Sequence, residues 1–464
     1  MANNEAAYEK GLDLWTRKPV NSSIIQKKYV KHLPRQYPPS SDQVVEFYIP
    51  GNTTQFIDFS ETELVIVCSI VKDDGTDFKY DNAKKEYEYV TPINDLFHTM
   101  WQNVELIAGS SNEVISTSNN YYAYKAYIED LISTTSTEKN NYMKYNQLWY
   151  KDSNYAECSN PEETDPSKKN TGLENRWIAT NEKKKFRLIG KLRADFCMQD
   201  RFLLNGVDVT VRLTPNREAF RLIHNPTNIK ASIQISQMYL RLCKVVLNNS
   251  VEEGLPSGFK VSAAQYNIIK TDIRMRQLSA ASPMSEFDNI YAGEIPSKMI
   301  LAFVSAEAYN GAAGANPLKF EHLFIRSLTV YLNDESVPGV LYQNLDFTNN
   351  DYSETLRELQ KIKSVSGKPI DLDITLDDFK NGSALFAIDI EPEIPPNLSV
   401  WPIPKTGTVK ISISLEKKLT APMNLLIYGI FPGTVEIDSD RNVLPPQIVS
   451  LARSSNVGRK RKNE

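Results

Sequence analysis

FLLNGVDVTVRLTPN, Phe202 to Asn216, contains the run VDVTVRL, in which apolar and polar residues alternate without a break. Val207, Val209, Val211 and Leu213 fall on one side of an extended chain and Asp208, Thr210 and Arg212 on the other, the period-2 signature of a strand with one buried face. Its β-branched residues suit a pleated sheet, and Asn205-Gly206 supplies a turn or bulge just before it. In the other half of the chain VKISISL repeats the pattern, with Val409, Ile411, Ile413 and Leu415 on one face and Lys410, Ser412 and Ser414 on the other. The chain reads as a doubled object.

Its 464 residues are too many for one core and sufficient for two domains of about 200 residues each. With 53 Lys and Arg against 57 Asp and Glu, there is no global basic field to argue for nucleic acid. The 23 Tyr, 18 Phe and 25 Pro suit an aromatic, loop-rich β protein better than a helical one. No apolar run approaches the roughly 18 residues of a membrane span, and MANNEAAYEKGLDLW lacks a signal-peptide core, so a cytosolic or nuclear protein is expected. Cys68, Cys158, Cys197 and Cys243 form no CxxC pair and are expected as buried free thiols. The Asn-x-Ser/Thr triplets at Asn52, Asn248, Asn381 and Asn397 then carry no glycosylation meaning.

Residues 1–43 read as an N-terminal arm. Arg17, Lys18, Lys27, Lys28, Lys31 and Arg35 meet no acid between Thr16 and Ser41, and Pro19, Pro34, Pro38 and Pro39 oppose a helix. Such an arm either reaches a neighbouring subunit or an anionic surface, or is a solvated tail. From Gln43 the pattern is β: VVEFYIPGN and FIDFSETELVIVCSIV give two strands, and LFHTMWQNVELIAGSSNEVI a long strand turning at Gly109-Ser110-Ser111. YYAYKAYIEDLIS follows as a helix, with Asn119 and Asn120 as candidate caps and a stripe of Tyr124, Tyr127, Ile128 and Leu131. It is expected against a sheet edge or mouth.

A polar excursion over 136–182 interrupts the strands yet holds Tyr142, Tyr145, Trp149, Tyr150, Tyr155 and Trp177, so part of it should be packed. Its centre, CSNPEETDPSKKNTG, is expected to be mobile. KKKFRLIGKLRADFC resumes the strands, and ASIQISQMYLRLCKVVL closes the first half. The second half repeats the order: SLTVYLNDESVPG, an Asn pair at Asn349-Asn350 before the helical DYSETLRELQKI, then VKISISL, and a closing strand within Ala421–Val443. Agreement in order and type points to internal duplication and to two antiparallel β-sandwiches in tandem.

QDRFLLNGVDVTVRLTPNREAF, IPSKMILAFVSAEAYNG with NPLKFEHLFIRSLTVYLNDESVPG, LDDFKNGSALFAIDIEP and NLLIYGIFPGTVEIDSDRNV together resemble the double jelly-roll major capsid (hexon-like) proteins of adintoviruses and Polinton/Maverick elements, in order from about Val44 to Val443. The resemblance implies an all-β chain of two tandem eight-stranded antiparallel jelly rolls with short helices in loops. Jelly roll 1 would span 44–248 with its insertion at 136–182, jelly roll 2 would span 249–445, and a basic tail would occupy 446–464. It further implies a homotrimeric pseudo-hexagonal capsomer tiling an icosahedral shell around double-stranded DNA. Penton and minor capsid proteins would be partners, and the virion the location, after synthesis in host cytoplasm and nuclear assembly. The excursion and both tails depart from the shared blocks.

A search for chemistry points away from an enzyme: no catalytic, cofactor-binding or metal residues are expected. His32, His98, His224 and His322 are scattered, with no pair at helical or hairpin ligand spacing, and no GxSxG or phosphate loop is present. Glu436, Asp438 and Asp440 in EIDSDRNV alternate as in a Ca²⁺ loop but lack its Gly and distal Glu, leaving a turn with Asp-Arg441 pairing as the other reading. LDDFKNGSALFAIDI reads as a turn at Asn381-Gly382 between strands. The C-terminal Gly458-Arg459-Lys460-Arg461-Lys462 is read as an import signal, as a contact to packaged DNA, or as a solvated tail. The competing function is a soluble β-sandwich carbohydrate-binding or accessory protein, for which the aromatics of 142–155 and Trp177 would line a sugar groove.

Overall fold

Two sandwiches of identical strand order make up the computed structural model, which describes residues 21–81, 86–224, 229–312, 314–337, 339, 341–362, 373–390 and 405–444. The first contains β1 (Ile24–His32), β2 (Val45–Ile49), β3 (Phe56–Lys72), β4 (Trp101–Ala108), β5 (Glu113–Ser116), β6 (Phe186–Lys191), β7 (Val209–Pro215) and β8 (Ala231–Leu247). Their hydrogen-bonded orders are β1-β8-β3-β6 and β2-β7-β4-β5. The second contains β9 (Ala264–Leu278), β10 (Met284–Phe287), β11 (Lys298–Ser305), β12 (Ile325–Leu332), β13 (Glu335–Ser336), β14 (Leu385–Asp389), β15 (Thr406–Leu415) and β16 (Met423–Ile437), ordered β9-β16-β11-β14 and β10-β15-β12-β13. Counted from its own first strand, each half runs 1-8-3-6 and 2-7-4-5 with antiparallel pairing, which is the jelly roll. The chain is a double jelly roll, all-β with short helices in its loops.

The central strands obey the alternation read in the sequence. On β7, Val209, Val211 and Leu213 are buried, and their register partners are Ile49, Phe47 and Val45 on β2 and Ala108, Leu106 and Val104 on β4. Arg212 points outward between Glu46, 2.9 Å away, and Glu105, 3.2 Å away, on those same flanking strands. On β15, Val409, Ile411, Ile413 and Leu415 are buried while Lys410 pairs outward with Glu286 of β10 at 2.9 Å. One strand therefore does the same work in both halves: its apolar face fills the sandwich and its polar face ties the edge strand down.

Of five helices, α1 (Leu96–Thr99), α2 (Tyr122–Ser133), α3 (Thr171–Thr180) and α5 (Leu376–Asn381) line or border the contact between the two halves, while α4 (Ser353–Lys361) packs within the second half against β14. α2 and α4 occupy equivalent places, each after an Asn pair. Those asparagines do not cap: Asn119, Asn120 and Asn350 take left-handed backbone at φ 49, 67 and 61, the conformation in which asparagine is among the most tolerated non-glycine residues.

Several expectations are corrected. Residues 24–32, read as part of an arm, form β1 and pair along β8 from Ile24↔Leu247 to His32↔Leu240, with Ile24, Lys28, Val30 and His32 partly buried and the intervening Tyr29 and Lys31 exposed. Residues 1–20 and the basic tail lie outside the described residues. LFHT is a helical turn rather than the start of a strand, set by Asp95 in left-handed backbone at φ 54 and by Thr99, whose hydroxyl donates to the Asp95 carbonyl at 2.9 Å. LDDFKN is α5, opened by a capping box in which Thr375 and Asp378 satisfy each other's backbone N–H groups, so Asn381-Gly382 closes a helix instead of joining two strands. The stretch expected to be mobile, 158–172, follows a hydrogen-bonded course. Asn170 caps α3 and donates to the Glu157 carbonyl at 3.0 Å, and Cys158 is buried.

Candidate functional site: an interdomain seam and an exposed apolar band

α2 does not lie at an edge; it is the layer between the two jelly rolls. Tyr122 and Ala126 pack into the first core, while Ala123, Tyr124, Tyr127, Ile128, Leu131 and Ile132 pack into the second. The stripe read in the sequence is thus the half of the helix that faces jelly roll 2. The other residues are buried as well, including Lys125, Glu129 and Asp130. A helix this enclosed must satisfy its charges internally.

Lys125 Nζ lies 2.8 Å from Glu129 Oε1, one turn on, and 3.2 Å from Asp195 Oδ1, and donates to the Arg193 carbonyl. Burial opposes the ammonium, but Glu129 and Asp195 outweigh it and hold the Lys125 pKa above its ordinary value. Both carboxylates reach across to jelly roll 2. Asp195 accepts from the Thr271 hydroxyl at 2.9 Å and its backbone N–H at 3.1 Å, and Glu129 accepts from Tyr428 at 2.7 Å. Arg193 clamps Asp130, and Tyr122 accepts from the Arg193 N–H at 2.9 Å while bonding His98 Nδ1 at 2.9 Å. Removing Lys125 would leave Glu129 and Asp195 buried without their counterion, and removing Arg193 would do the same to Asp130.

The excursion extends this seam. Trp149 packs 5.1 Å from Tyr127 with Lys139 Nζ 5.5 Å over its ring; burial lowers the Lys139 pKa to about 8. Tyr155 crosses to jelly roll 2, where its hydroxyl meets Ser383 Oγ at 3.1 Å and its ring covers Gly382; a Cβ there would stand 2.4 Å from the ring. Arg176 of α3 pairs with Asp152 at 2.9 Å, both buried, and Asn316 of jelly roll 2 donates to Asp152 at 3.4 Å. Opposite these, Arg441 donates to the Asn205 carbonyl at 2.7 Å and to its side-chain oxygen at 3.0 Å. EIDSDRNV is therefore a turn, closed by Asp438 accepting from the Asp440 and Asn442 N–H groups, but Arg441 pairs with Asn205 of the first roll and not with an Asp.

Of the other singled-out residues, all four cysteines are buried free thiols, with Cys158 and Cys197 pushed up to about 12 by burial and so unreactive at neutral pH. His32 contacts the Tyr48 carbonyl. His322 accepts from the Phe324 N–H at 3.1 Å and stacks on Phe347 at 4.2 Å; burial, with Lys380 and Lys319 nearby, lowers its pKa to about 4. The ring is neutral when folded, whereas an unfolded histidine takes a proton near pH 6.5. The stability this contributes is present above about pH 6.5 and is lost as pH falls from there through 4. His322→Asn, which keeps an acceptor, is expected to shrink that acid loss by about 1–2 kcal/mol after allowance for partial exposure, measured by urea unfolding at pH 7 and pH 4.5.

One surface stands out. Ile25, Tyr29, Leu33, Tyr37, Val44 and Tyr48 are exposed along one continuous segment around the edge strand β1 and its neighbour β2. Arg241 lies 5.6 Å over Tyr29 and Arg35 4.9 Å over Tyr48, so the band is apolar with a basic frame. No helix among the described residues is long and apolar enough to cross a membrane.

Sequence reading missed the seam because charge in YKAYIEDL looks like a solvated face. The available signal was a helix with Tyr, Ala or Ile on every side of its three charges, which leaves no polar face.

No protein-family model matches the chain. It is 24% identical over 415 residues to an uncharacterized protein of Caenorhabditis elegans, covering 87% of this chain and 93% of that one. Among solved structures it is similar to a chain of the Sputnik virophage with TM-score 0.62 and 12% identity, over 100% of this chain and 97% of that one. It is similar to the mavirus major capsid protein with TM-score 0.53 and 10% identity over 96% and 94%, and to the Faustovirus major capsid protein with TM-score 0.51 and 9% identity over 92% of each. At these identities the likeness establishes the double jelly-roll fold.

Proposed function

We propose that this chain is a major capsid protein. It is a structural subunit without enzymatic activity that associates as a homotrimer into a pseudo-hexagonal capsomer, tiles an icosahedral shell around double-stranded DNA, and resides in the virion. The observation that carries the reading is the repetition of one jelly-roll order in two halves fixed together by a buried seam. Two similar rigid wedges per chain become six around a threefold axis, a shape that packs with six neighbours. Full-length similarity to a chain of the Sputnik virophage and to the mavirus and Faustovirus major capsid proteins supports it. The finer assignment to adintoviruses and Polinton/Maverick elements rests on the sequence blocks quoted above.

Trp149 and Tyr155 are committed inside the chain, so the excursion offers a partner Tyr142, Tyr145 and Ile178. The larger offer is the band around β1 and β2. The same burial weighs against a sugar groove, since Trp149 and Tyr155 are core. Negative-stain images of the purified chain test the proposal: hexagonal capsomers or shells are expected, and a field of isolated single chains contradicts it.

Penton and minor capsid proteins are the further partners of this reading, and the tail beyond 452 is its contact to DNA or import machinery. Deleting residues 453–464 should leave the capsomer intact while reducing nuclear accumulation or salt-sensitive DNA association. A deletion that changes neither makes the tail inert in both respects.

A further inference from the structure

Asp95, His98 and Asp130 converge in the first jelly roll's side of the seam. Asp95 and His98 stand one turn apart at the start of α1, and Asp130 faces them from α2. All three are completely buried, and one ligand atom from each lies within 4.8 Å of the others. Among the described residues both Asp95 oxygens, His98 Nε2 and Asp130 Oδ2 have no hydrogen-bond partner other than a proton that the Asp95 and Asp130 carboxyls would share. Their other halves are engaged: His98 Nδ1 by Tyr122 and Asp130 Oδ1 by Arg193. Burying four unsatisfied polar atoms around one point is costly unless something sits between them.

Charge points the same way. The seam gathers four carboxylates, Asp95, Glu129, Asp130 and Asp195, against two cations, Lys125 and Arg193. Lys139, the next cation outward, donates to the Leu131 carbonyl and lies over Trp149. Arg193 answers Asp130 and Lys125 answers Glu129 and Asp195, which leaves Asp95 with no counterion: burial and Asp130 favour its neutral form, and ionising it beside a bound cation would put the four carboxylates two charges ahead of the two cations.

The geometry points to a structural binding site for one divalent cation of the zinc type, held by His98 Nε2, Asp130 Oδ2 and the Asp95 carboxylate. One imidazole and two carboxylates are a ligand set suited to Zn²⁺, with bonds of about 2.0–2.2 Å and ligand atoms therefore about 3.3–3.5 Å apart. His98 Nε2 and Asp130 Oδ2 are 3.7 Å apart, so that pair needs only a few tenths of an ångström of closure, while the Asp95 carboxyl, with an oxygen within 4.8 Å of both, would move in by up to about 1.5 Å. Tyr122 on Nδ1 and Arg193 on Asp130 are the outer partners that such ligands use to fix their orientation. The ion would enter as the chain folds, pin α1 to α2, and neutralise the seam.

The test uses the full chain, unfolded in chelator and refolded with or without equimolar Zn²⁺, followed by elemental analysis after dialysis. About one zinc per chain is expected, together with a higher Tm than the zinc-free preparation, and both gains should be lost in Asp95→Asn. Zinc X-ray absorption should give nitrogen and oxygen ligands without sulfur, a readout on the unmutated chain that stands even where a variant fails to fold. Less than a tenth of an equivalent in the unmutated chain would overturn the site, as would sulfur ligation by the cysteines. So would an Asp95→Asn chain that keeps its zinc, or one that is more stable than its parent, the mark of two carboxyls sharing a proton.

Discussion

Replacing Val209 with aspartate is expected to abolish soluble full-length protein, and Ile411→Asp to do the same through the other half. Each places a carboxylate at a fully enclosed position among apolar side chains, Val209 between Ile49 and Ala108 and Ile411 between Phe287 and Val330. The cost is about 4–5 kcal/mol or more, comparable with the whole stability of many domains. Thr210→Asp and Ser412→Asp, one residue along and outward-facing, should cost about 1 kcal/mol or less. Soluble yield and thermal unfolding of the four variants decide the matter. Equal tolerance at inward and outward positions would remove the strand assignment from which everything else is built.

The second large effect belongs to the seam. Lys125→Met should destabilise the chain by about 3–5 kcal/mol, because Glu129 and Asp195 stay buried on either side of the missing ammonium. Removing all three charges together, as Lys125→Met with Glu129→Gln and Asp195→Asn, should recover much of that loss, since the amides can still accept from Tyr428 and Thr271. Urea unfolding of the single and triple variants measures both quantities. A neutral Lys125→Met would mean that packing alone joins the two rolls.

The fold was legible where pattern and burial coincide. VDVTVRL and VKISISL each have one inward face and polar neighbours outward, so period 2 in the sequence became period 2 in burial. β1 was hidden because an edge strand with cations at 27, 28 and 31 leaves most of its side chains in solvent, and among the described residues it pairs on one side only. The helical turn at 96–99 was hidden because its four residues are all buried and show no polar face; its cause is the backbone of Asp95, which no periodicity records. The histidines carry no ligand spacing among themselves, and the cluster around His98 was hidden because its partners are carboxylates: Asp95 lies three residues before it, and Asp130 comes near only through the fold of α2 onto α1. Helix α2 was expected against a sheet edge or mouth because it lies among strands; that it joins the two halves was hidden because the partners of its charges, Asp195, Thr271 and Tyr428, lie far along the chain.

The capsomer reading stands or falls on mass in solution. Each chain is 52.7 kDa with a formal charge of -4, so a trimer is a 158.1 kDa particle of charge -12. Such particles should repel one another at low salt and associate further as salt screens them, over a Debye length that shrinks from about 30 Å at 0.01 M to about 10 Å at 0.1 M. Light scattering on the purified chain at micromolar concentration across that series is the direct test. A 158.1 kDa species at low salt that grows into larger assemblies at higher salt is the predicted result, and a 52.7 kDa species throughout would contradict the account.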